Sequence, residues 1–212
     1  MPTDQGQPGG RRAGLLFDYG GVLTTNVFES FRDFCRTEGL ELDKVRVLFR
    51  EDPQALELLR RLETGDLDED SFSEQFGPLL GVREHNGLVD RLFAGMRPEE
   101  SMFEALRRAR AAGVRTGLVS NSWGRGRYDR DLFPELFDGV VISGEVGLHK
   151  PQPEIFLLGA ERIDTEPQDC VFVDDLRENC AGAEAVGMTA VLHRGADETI
   201  ERLEELLEVP LR

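Results

Sequence analysis

Three groups of polar residues each follow an apolar run that is typical of a short buried strand. Asp18 follows the run GLLF, Ser120 and Asn121 follow TGLV, and Asp174 and Asp175 follow CVFV. A carboxylate at the end of an apolar run is costly to bury unless another group compensates it. Two glycines come soon after Asp18 and favour a tight turn, which would expose this carboxylate as a candidate nucleophile.

Lys150 adds a cation to these polar groups. We expect it to lie in the loop SGEVGLHKPQPEIF, beyond the predicted strand GVVIS. Crowded carboxylates repel one another, so a cation is their natural compensation, and oxygen ligands favour a hard ion such as Mg²⁺. Ser120 and Lys150 are able to bind the oxygens of a phosphoryl group. Together these residue types indicate phosphoryl chemistry with Asp18 as the nucleophile.

Each motif also has a purely structural explanation when it is taken alone. DYGG is an ordinary turn sequence, SNS is an ordinary loop start, and DDLREN fits the acidic N-terminus of a helix. A single lysine such as Lys150 is usually solvated. The functional hypothesis therefore depends on the order and spacing of the motifs together.

Helices and strands alternate along the chain after Pro98. Apolar residues at three- and four-residue spacings predict helices in EESMFEALRRARAAG and DETIERLEELLEV, among others, and short apolar runs between the helices predict buried strands. This alternation predicts an α/β fold with a Rossmann-like parallel sheet and helices on both faces. Ligands of such sheets bind at the carboxyl ends of the strands, which is where the polar groups above are expected.

The segment from about Val27 to Met96 has helical spacing throughout and no strand signal. Glycine, proline or acidic caps separate its predicted helices, and Asp68 is expected to be one N-cap. We therefore expect a small helical cap inserted after the first strand. The predicted boundaries are 1–12 for a disordered tail, 13–25 and 98–212 for the α/β core, and 26–97 for the helical cap.

The composition restricts the class of partner. Among 212 residues, 41 are acidic and 25 are Lys or Arg, for a formal net charge of −16. Such a surface repels nucleic acids and anionic membranes, but a local basic group can still bind a small phosphorylated substrate. Three scattered cysteines, with no leader-like or membrane-length apolar stretch, predict a cytoplasmic protein. The sequence leaves the oligomeric state open between a monomer and a homodimer.

Four motifs occur together in the order found in a known superfamily. They are FDYGGVL around Asp18, VSN at Ser120, GLHKPQPEIF at Lys150, and FVDDLRENCAGAEAVGM around Asp175. In these motifs the sequence resembles the haloacid dehalogenase-like (HAD) hydrolases over nearly the whole chain beyond the tail. It is most similar to the sugar-phosphatase branch and to the N-terminal phosphatase domain of some epoxide hydrolases. The helical insertion resembles the small cap of this superfamily.

The resemblance implies a role for each residue. Asp18 would attack a phosphate and form an aspartyl-phosphate, Ser120 would hold phosphoryl oxygens with Asn121 nearby, and Lys150 would neutralise charge. The implied Mg²⁺ ligands are Asp18, the backbone carbonyl of Gly20, Asp175 and, second to it, Asp174.

Gly20 departs from the usual pattern of these phosphatases. Most of them carry a second aspartate two residues after the nucleophile, and this aspartate acts as the general acid and base. Gly20 keeps the carbonyl but has no carboxylate, and such a catalytic group is worth roughly 10²–10⁴ in rate. We expect a Mg²⁺-dependent phosphatase of small phosphorylated metabolites with slow turnover.

Two alternatives stay open. One is a degenerate binding or regulatory protein that kept the site and lost turnover, which the absence of a carboxylate at Gly20 favours. The other is a 2-haloacid dehalogenase-like hydrolase, because these enzymes also lack the second aspartate. However, such dehalogenases need no Mg²⁺ and resemble Ser-Ser-Asn in the fourth motif, where this chain has Val-Asp-Asp.

Overall fold

One sheet of five parallel strands forms the centre of the α/β core. The computed structural model describes residues 14–124 and 128–212, so the predicted tail at 1–12 lies outside the described residues. The spatial strand order is β3-β2-β1-β4-β5, and every neighbouring pair is parallel. The strands are β1 (Gly14–Phe17), β2 (Arg115–Ser120), β3 (Gly139–Ile142), β4 (Cys170–Asp174) and β5 (Thr189–Leu192). The predicted α/β class and parallel sheet are confirmed.

The strand register brings the predicted polar residues to one edge of the sheet. Phe17 of β1 pairs with Leu118 of β2 and with Val173 of β4. Asp18, which follows β1, therefore lies beside Asp174, the last residue of β4. The backbone N–H of Asp18 donates to the Val173 carbonyl at 2.9 Å.

Six helices that follow the insertion pack around the sheet. They are α6 (Glu100–Ala111), α7 (Phe133–Leu136), α8 (Ser143–Val146), α9 (Pro153–Arg162), α10 (Arg177–Ala185) and α11 (Ala196–Leu207). Successive side chains of β1 enter different cores, as the alternation of a strand requires. Leu15 and Phe17 pack with residues of α6 and α11, whereas Leu16 packs with residues of α9 and α10. Helices therefore cover both faces of the sheet, as predicted.

The segment between β1 and α6 forms a helical unit with its own hydrophobic cluster. Its helices are α1 (Val27–Glu38), α2 (Lys44–Glu51), α3 (Pro53–Glu63), α4 (Glu69–Leu80) and α5 (Leu88–Phe93). Phe72 and Phe76 are fully buried in this cluster. The Asp68 carboxylate accepts a hydrogen bond from Ser71 N at 2.8 Å, so it caps α4 as predicted.

Helix α8 was expected to be part of a loop. It has a single turn, which is too short to show a helical period in the sequence. Its first residue, Ser143, is fully buried. No helix in the described ranges is long and apolar enough to cross a membrane.

Candidate active site

A buried lysine joins the carboxyl ends of two neighbouring strands. Lys150 Nζ lies 2.8 Å from Asp18 Oδ1 and 2.7 Å from Asp174 Oδ2, and its side chain is 1% exposed. Lys150 comes from the segment between α8 and α9, so three separate parts of the chain meet at this ammonium group. The structure thus brings together three of the residues that the sequence singled out.

Asp174 binds the ammonium group of Lys150 and is itself held by hydrogen bonds. Its Oδ1 atom accepts hydrogen bonds from Leu176 N at 2.9 Å and Asn179 Nδ2 at 3.0 Å, and its Oδ2 atom accepts from Lys150 and again from Asn179. The residue is completely buried. With both oxygens bonded, Asp174 is suited to orienting Lys150, and its assignment as a metal ligand stays a prediction.

Ser120 and Asn121 lie at the end of β2. Ser120 Oγ accepts a hydrogen bond from the Tyr128 hydroxyl at 3.1 Å. Asn121 Oδ1 accepts from Lys150 N at 2.8 Å, and Asn121 Nδ2 donates to Lys150 O at 3.2 Å. Asn121 therefore holds the backbone of the lysine, and its expected place near a phosphate stays a prediction. Tyr128 belongs to no motif of the sequence, so its bond to Ser120 is visible only in the fold.

Burial and mutual repulsion shift the pKa values of the site. Burial raises the pKa of Asp18 to about 6, with Lys150 opposing this rise and Asp174 adding to it. Burial also raises the pKa of Asp175 to about 7, and the charges of Asp18 and Asp174 act in the same direction. Burial lowers the pKa of Lys150, but the attraction of Asp174 and Asp18 outweighs this effect and leaves the pKa above its usual value. The lysine is thus a permanent cation.

The two glycines after Asp18 have different roles. Gly21 has a φ of 79°, and a Cβ built there would lie 2.5 Å from Asp175 Oδ2. This turn therefore needs a glycine, both for its left-handed backbone and for the close approach of Asp175. Gly20 does not have a positive φ, and a Cβ there would meet Val27 Cγ2 at 3.2 Å. The backbone does not demand glycine at position 20.

A cavity of about 900 Å³ opens over this edge of the sheet. Asp18, Gly20, Ser120, Lys150 and Asp175 line it from the core. The helices of the helical unit contribute aromatic and other apolar side chains, three arginines and one acid; these residues include Phe28, Phe31, Phe49, Phe93, Arg46, Arg50, Arg60 and Glu63.

Trp123 connects this aromatic surface to the core. It follows β2, and its ring centroid lies 5.7 Å from that of Phe31, 5.5 Å from Phe49 and 4.9 Å from Phe93. Glu63 was not predicted to belong to the site. Glu63 is one of 41 acidic residues and belongs to no motif, so only the fold reveals its place.

The donor set fits a hard divalent cation. Carboxylate oxygens of Asp18, Asp174 and Asp175 lie within 4.8 Å of one another, and Asp18 and Asp175 also face the cavity. Mg²⁺ prefers oxygen ligands and commonly shares its coordination shell with a phosphate and waters. A cation here would also offset the repulsion that raises the pKa values of both cavity-facing aspartates.

The model of one protein family matches most of the sequence. This model, described as haloacid dehalogenase-like hydrolase, matches residues 13–187. The chain belongs to this family of hydrolases. The resemblance inferred from the four motifs is thereby confirmed, and the protein is an enzyme of the HAD-like class.

Similar proteins include phosphatases and larger enzymes. The hydrolase is 31% identical to glyceraldehyde 3-phosphate phosphatase of Methanopyrus kandleri over 117 residues, which are 53% of this chain and 50% of that protein. It is 27% identical to rat bifunctional epoxide hydrolase 2 over 143 residues, which are 64% of this chain and 24% of that enzyme. The chain thus spans half or less of the length of these two relatives.

A solved structure supports the fold. A HAD family enzyme of Bacteroides thetaiotaomicron, crystallised with magnesium and inorganic phosphate, superposes with a TM-score of 0.63 at 20% identity. The match covers 85% of this chain and 93% of that one. At this identity the comparison establishes the shared fold.

The close approach of Gly21 to Asp175 predicts a difference between two glycine variants. Gly21→Ala and Gly39→Ala both place a side chain at positive φ, but a Cβ at Gly39 meets nothing within 4 Å. Each variant should lose about 1–2 kcal/mol of unfolding free energy from left-handed strain. Only Gly21→Ala should also weaken Mg²⁺ binding, because its methyl group displaces Asp175. Denaturant unfolding and calorimetric Mg²⁺ titration test this, and equal Mg²⁺ affinities in the two variants would contradict it.

The raised pKa of Asp175 predicts that its charge destabilises the metal-free protein. The unfolded carboxyl ionises near pH 3.9, whereas the folded one ionises near 7, so the cost grows between these values and is complete above pH 7. In EDTA at pH 8, Asp175→Asn should raise Tm by at least ~2 °C, since 1 kcal/mol corresponds to about 2–4 °C for this chain length. The gain should shrink as the pH falls towards 4.

The control for this variant is Glu178→Gln, which removes the same charge from an exposed residue three positions further on. It should leave Tm nearly unchanged at both pH values. With excess Mg²⁺ at pH 8, the wild type and the control should be stabilised, and Asp175→Asn should lose most of that effect. An Asp175→Asn protein less stable than the wild type in EDTA would refute the account of crowded charge.

Proposed function

We propose that this HAD-like hydrolase is a Mg²⁺-dependent phosphatase of small phosphorylated metabolites that acts through an aspartyl-phosphate on Asp18. The observation that carries the proposal is the buried bridge of Lys150 between Asp18 and Asp174, beside a second cavity-facing carboxylate, Asp175. This arrangement presents a nucleophile, a fixed positive charge and oxygen ligands to one cavity. Phosphoryl transfer needs these three elements, because its catalysis is mainly positioning and charge stabilisation.

Lys150 and Ser120 are suited to binding the phosphoryl group. Both side chains line the cavity on the same side as Asp18. The ammonium group of Lys150 attracts the phosphoryl oxygens, and the Ser120 hydroxyl, oriented by Tyr128, donates to one of them. Asp18, the Gly20 carbonyl and Asp175 would hold Mg²⁺, which would supply further charge neutralisation. The negative charge of the nearby Asp174 would also attract the cation.

The environment of Asp18 keeps it reactive at neutral pH. With a pKa of about 6, most of the carboxylate is ionised at pH 7. Its bond to Lys150 aims one oxygen at the ammonium group, which leaves the other for attack on phosphorus. Asp174 and Asn121 hold Lys150 by its side chain and its backbone, so the nucleophile and the cation keep a constant relation.

The helical unit is proposed to be a cap that selects the organic part of the substrate. Its aromatic side chains face the phosphoryl-binding residues across the cavity. An apolar surface of this kind favours a substrate with a hydrophobic portion and excludes water from the reacting phosphate. The boundaries of this cap at 26–97, a cytoplasmic location and a monomeric or homodimeric state stay predictions from the sequence.

Removing the nucleophile should abolish turnover without loss of the fold. Asp18→Asn keeps the shape of the side chain but provides no carboxylate, so phosphate release from p-nitrophenyl phosphate should fall at least ~10³-fold, as for other essential catalytic groups. Circular dichroism and thermal melting of the same sample show whether the variant is folded. A folded Asp18→Asn protein with wild-type rates would refute the assignment.

Metal removal distinguishes the three classes of function. Phosphate release from a panel of phosphorylated metabolites should stop in EDTA and return with Mg²⁺, because the crowded carboxylates then lack their cation. Chloride release from 2-chloropropionate that persists in EDTA would instead identify a dehalogenase. A well-folded protein that turns over neither panel, with or without Mg²⁺, would favour the binding or regulatory alternative.

A further inference from the structure

The absence of a carboxylate at Gly20 leaves the proposed reaction without its usual proton donor. We propose that Glu63, from the helical unit, is the general acid and base of this hydrolase: it protonates the leaving oxygen and then activates the attacking water. This inference rests on the proposed phosphatase function. It goes beyond that function because it assigns a catalytic role to a residue outside all four motifs.

Glu63 is held against the core at its backbone. It is the last residue of α3, and its carbonyl accepts a hydrogen bond from the Ser143 hydroxyl at the start of α8. Ser143 Oγ in turn accepts from Ser122 N at 2.7 Å, two residues after Ser120. The α3 end of the helical unit is therefore tied to the loop that follows β2.

The neighbouring turn packs just as tightly. A Cβ built on Gly65, which has a φ of 79°, would lie only 2.7 Å from the Gly144 carbonyl oxygen. The end of α3 and the start of α8 thus touch backbone to backbone. This contact fixes where the side chain of Glu63 enters the cavity that Asp18 also lines.

The Glu63 carboxyl group has no assigned structural role. Among the described residues it makes no hydrogen bond and no ion pair; only its backbone carbonyl is engaged. Asp18 and Lys150 are the charged groups that act on it across the cavity. Burial raises the pKa of Glu63 to about 8, with Lys150 opposing this effect and Asp18 adding to it. The group therefore carries a proton at neutral pH, as a general acid must.

Other acidic and basic groups of the cavity are bonded to neighbouring groups or exposed to solvent. Tyr128 donates its hydroxyl proton to Ser120, and burial raises its pKa far above neutral pH. His149 donates its Nδ1 proton to the backbone carbonyl of Lys150, so that proton is not available to a leaving oxygen. Asp175 packs against the turn at Gly21 as part of the proposed metal site. Glu63 and Glu178 are the glutamates that line the cavity. Glu178 is exposed, whereas Glu63 lies close enough to Asp18 and Lys150 for their charges to act on it.

The proposed proton transfers balance over two steps. In the first, Asp18 forms a bond to phosphorus, the bond from phosphorus to the leaving oxygen breaks, and the Glu63 proton passes to that oxygen, which leaves as an alcohol. In the second, the Glu63 carboxylate takes a proton from water while the water oxygen bonds to phosphorus. The bond between Asp18 and phosphorus then breaks. Inorganic phosphate leaves, and both residues return to their starting states.

The test compares leaving groups in Glu63→Gln, with Glu57→Gln as the matched control. Glu57 lies on the same helix, but it is exposed and bonded to Arg60. An alkyl phosphate needs a proton on its leaving oxygen, whereas p-nitrophenyl phosphate does not. In Glu63→Gln, kcat/KM should fall about 10²–10⁴-fold on the alkyl ester and less than about tenfold on the nitrophenyl ester. Glu57→Gln should match the wild type on both substrates.

The second step gives an independent readout. Without its base, Glu63→Gln should accumulate the phosphorylated enzyme during turnover of p-nitrophenyl phosphate, seen as a burst of nitrophenol followed by a slow steady state. Equal losses of kcat/KM on the two substrates, with no burst, would overturn the assignment of Glu63. A wild type that releases phosphate from neither substrate would instead overturn the phosphatase function itself.

The pH profile of the wild type tests the assignment without any variant. The acid form of Glu63 disappears as the pH rises through its pKa, so kcat/KM for the alkyl ester should fall about tenfold per pH unit on the alkaline side. The nitrophenyl ester should lack this alkaline limb. Parallel profiles for the two esters would contradict general-acid catalysis by Glu63, whether or not Glu63→Gln folds.

Discussion

The site depends on one buried ammonium group shared by two carboxylates. Lys150 is almost wholly removed from water, and burying an unpaired charge would be strongly unfavourable. Its bonds to Asp18 and Asp174 offset that cost only while β1 and β4 keep their register. Asn121 adds a tie from the end of β2 to the lysine backbone. The position of the candidate nucleophile therefore depends on the order and register of the central strands.

The same interaction explains why the site favours a cation and a phosphate together. The site holds one ammonium group and three carboxylates, so it retains negative charge. Burial raises the pKa values of Asp18 and Asp175, and the charges of the neighbouring carboxylates add to this rise. A divalent cation offsets this excess, after which an anionic phosphoryl group can approach Lys150. The helical unit completes the cavity on the opposite side with aromatic surface and with Glu63. The core supplies the candidate nucleophile and the buried lysine, and the insertion supplies apolar surface, arginines and the proposed proton donor.

The sequence predicted what depends on local pattern. The period of apolar residues indicated the strands and longer helices, and the residues after each strand indicated the catalytic edge, because parallel strands end together. The sequence could not show that Asp174 binds the side chain of Lys150 or that Asn121 binds the backbone of Lys150, because these roles depend on hydrogen-bond directions. Helix α8 and Glu63 were missed for related reasons. A single helical turn is too short to show a periodic pattern. The position of Glu63 at the cavity becomes evident only from the contact of Ser143 with the end of α3.

The proposed role of Asp18 is tested by locating the phosphoryl group on the enzyme during turnover. The wild-type protein would be mixed with Mg²⁺ and p-nitrophenyl phosphate, quenched in acid and treated with borohydride, which reduces an aspartyl-phosphate to homoserine. Peptide mass spectrometry then identifies the modified residue. If Asp18 is the nucleophile of a Mg²⁺-dependent phosphatase, homoserine is expected at position 18. No homoserine is expected there when Mg²⁺ is omitted. Phosphate release with no modification at Asp18, or modification at another residue, would contradict this role.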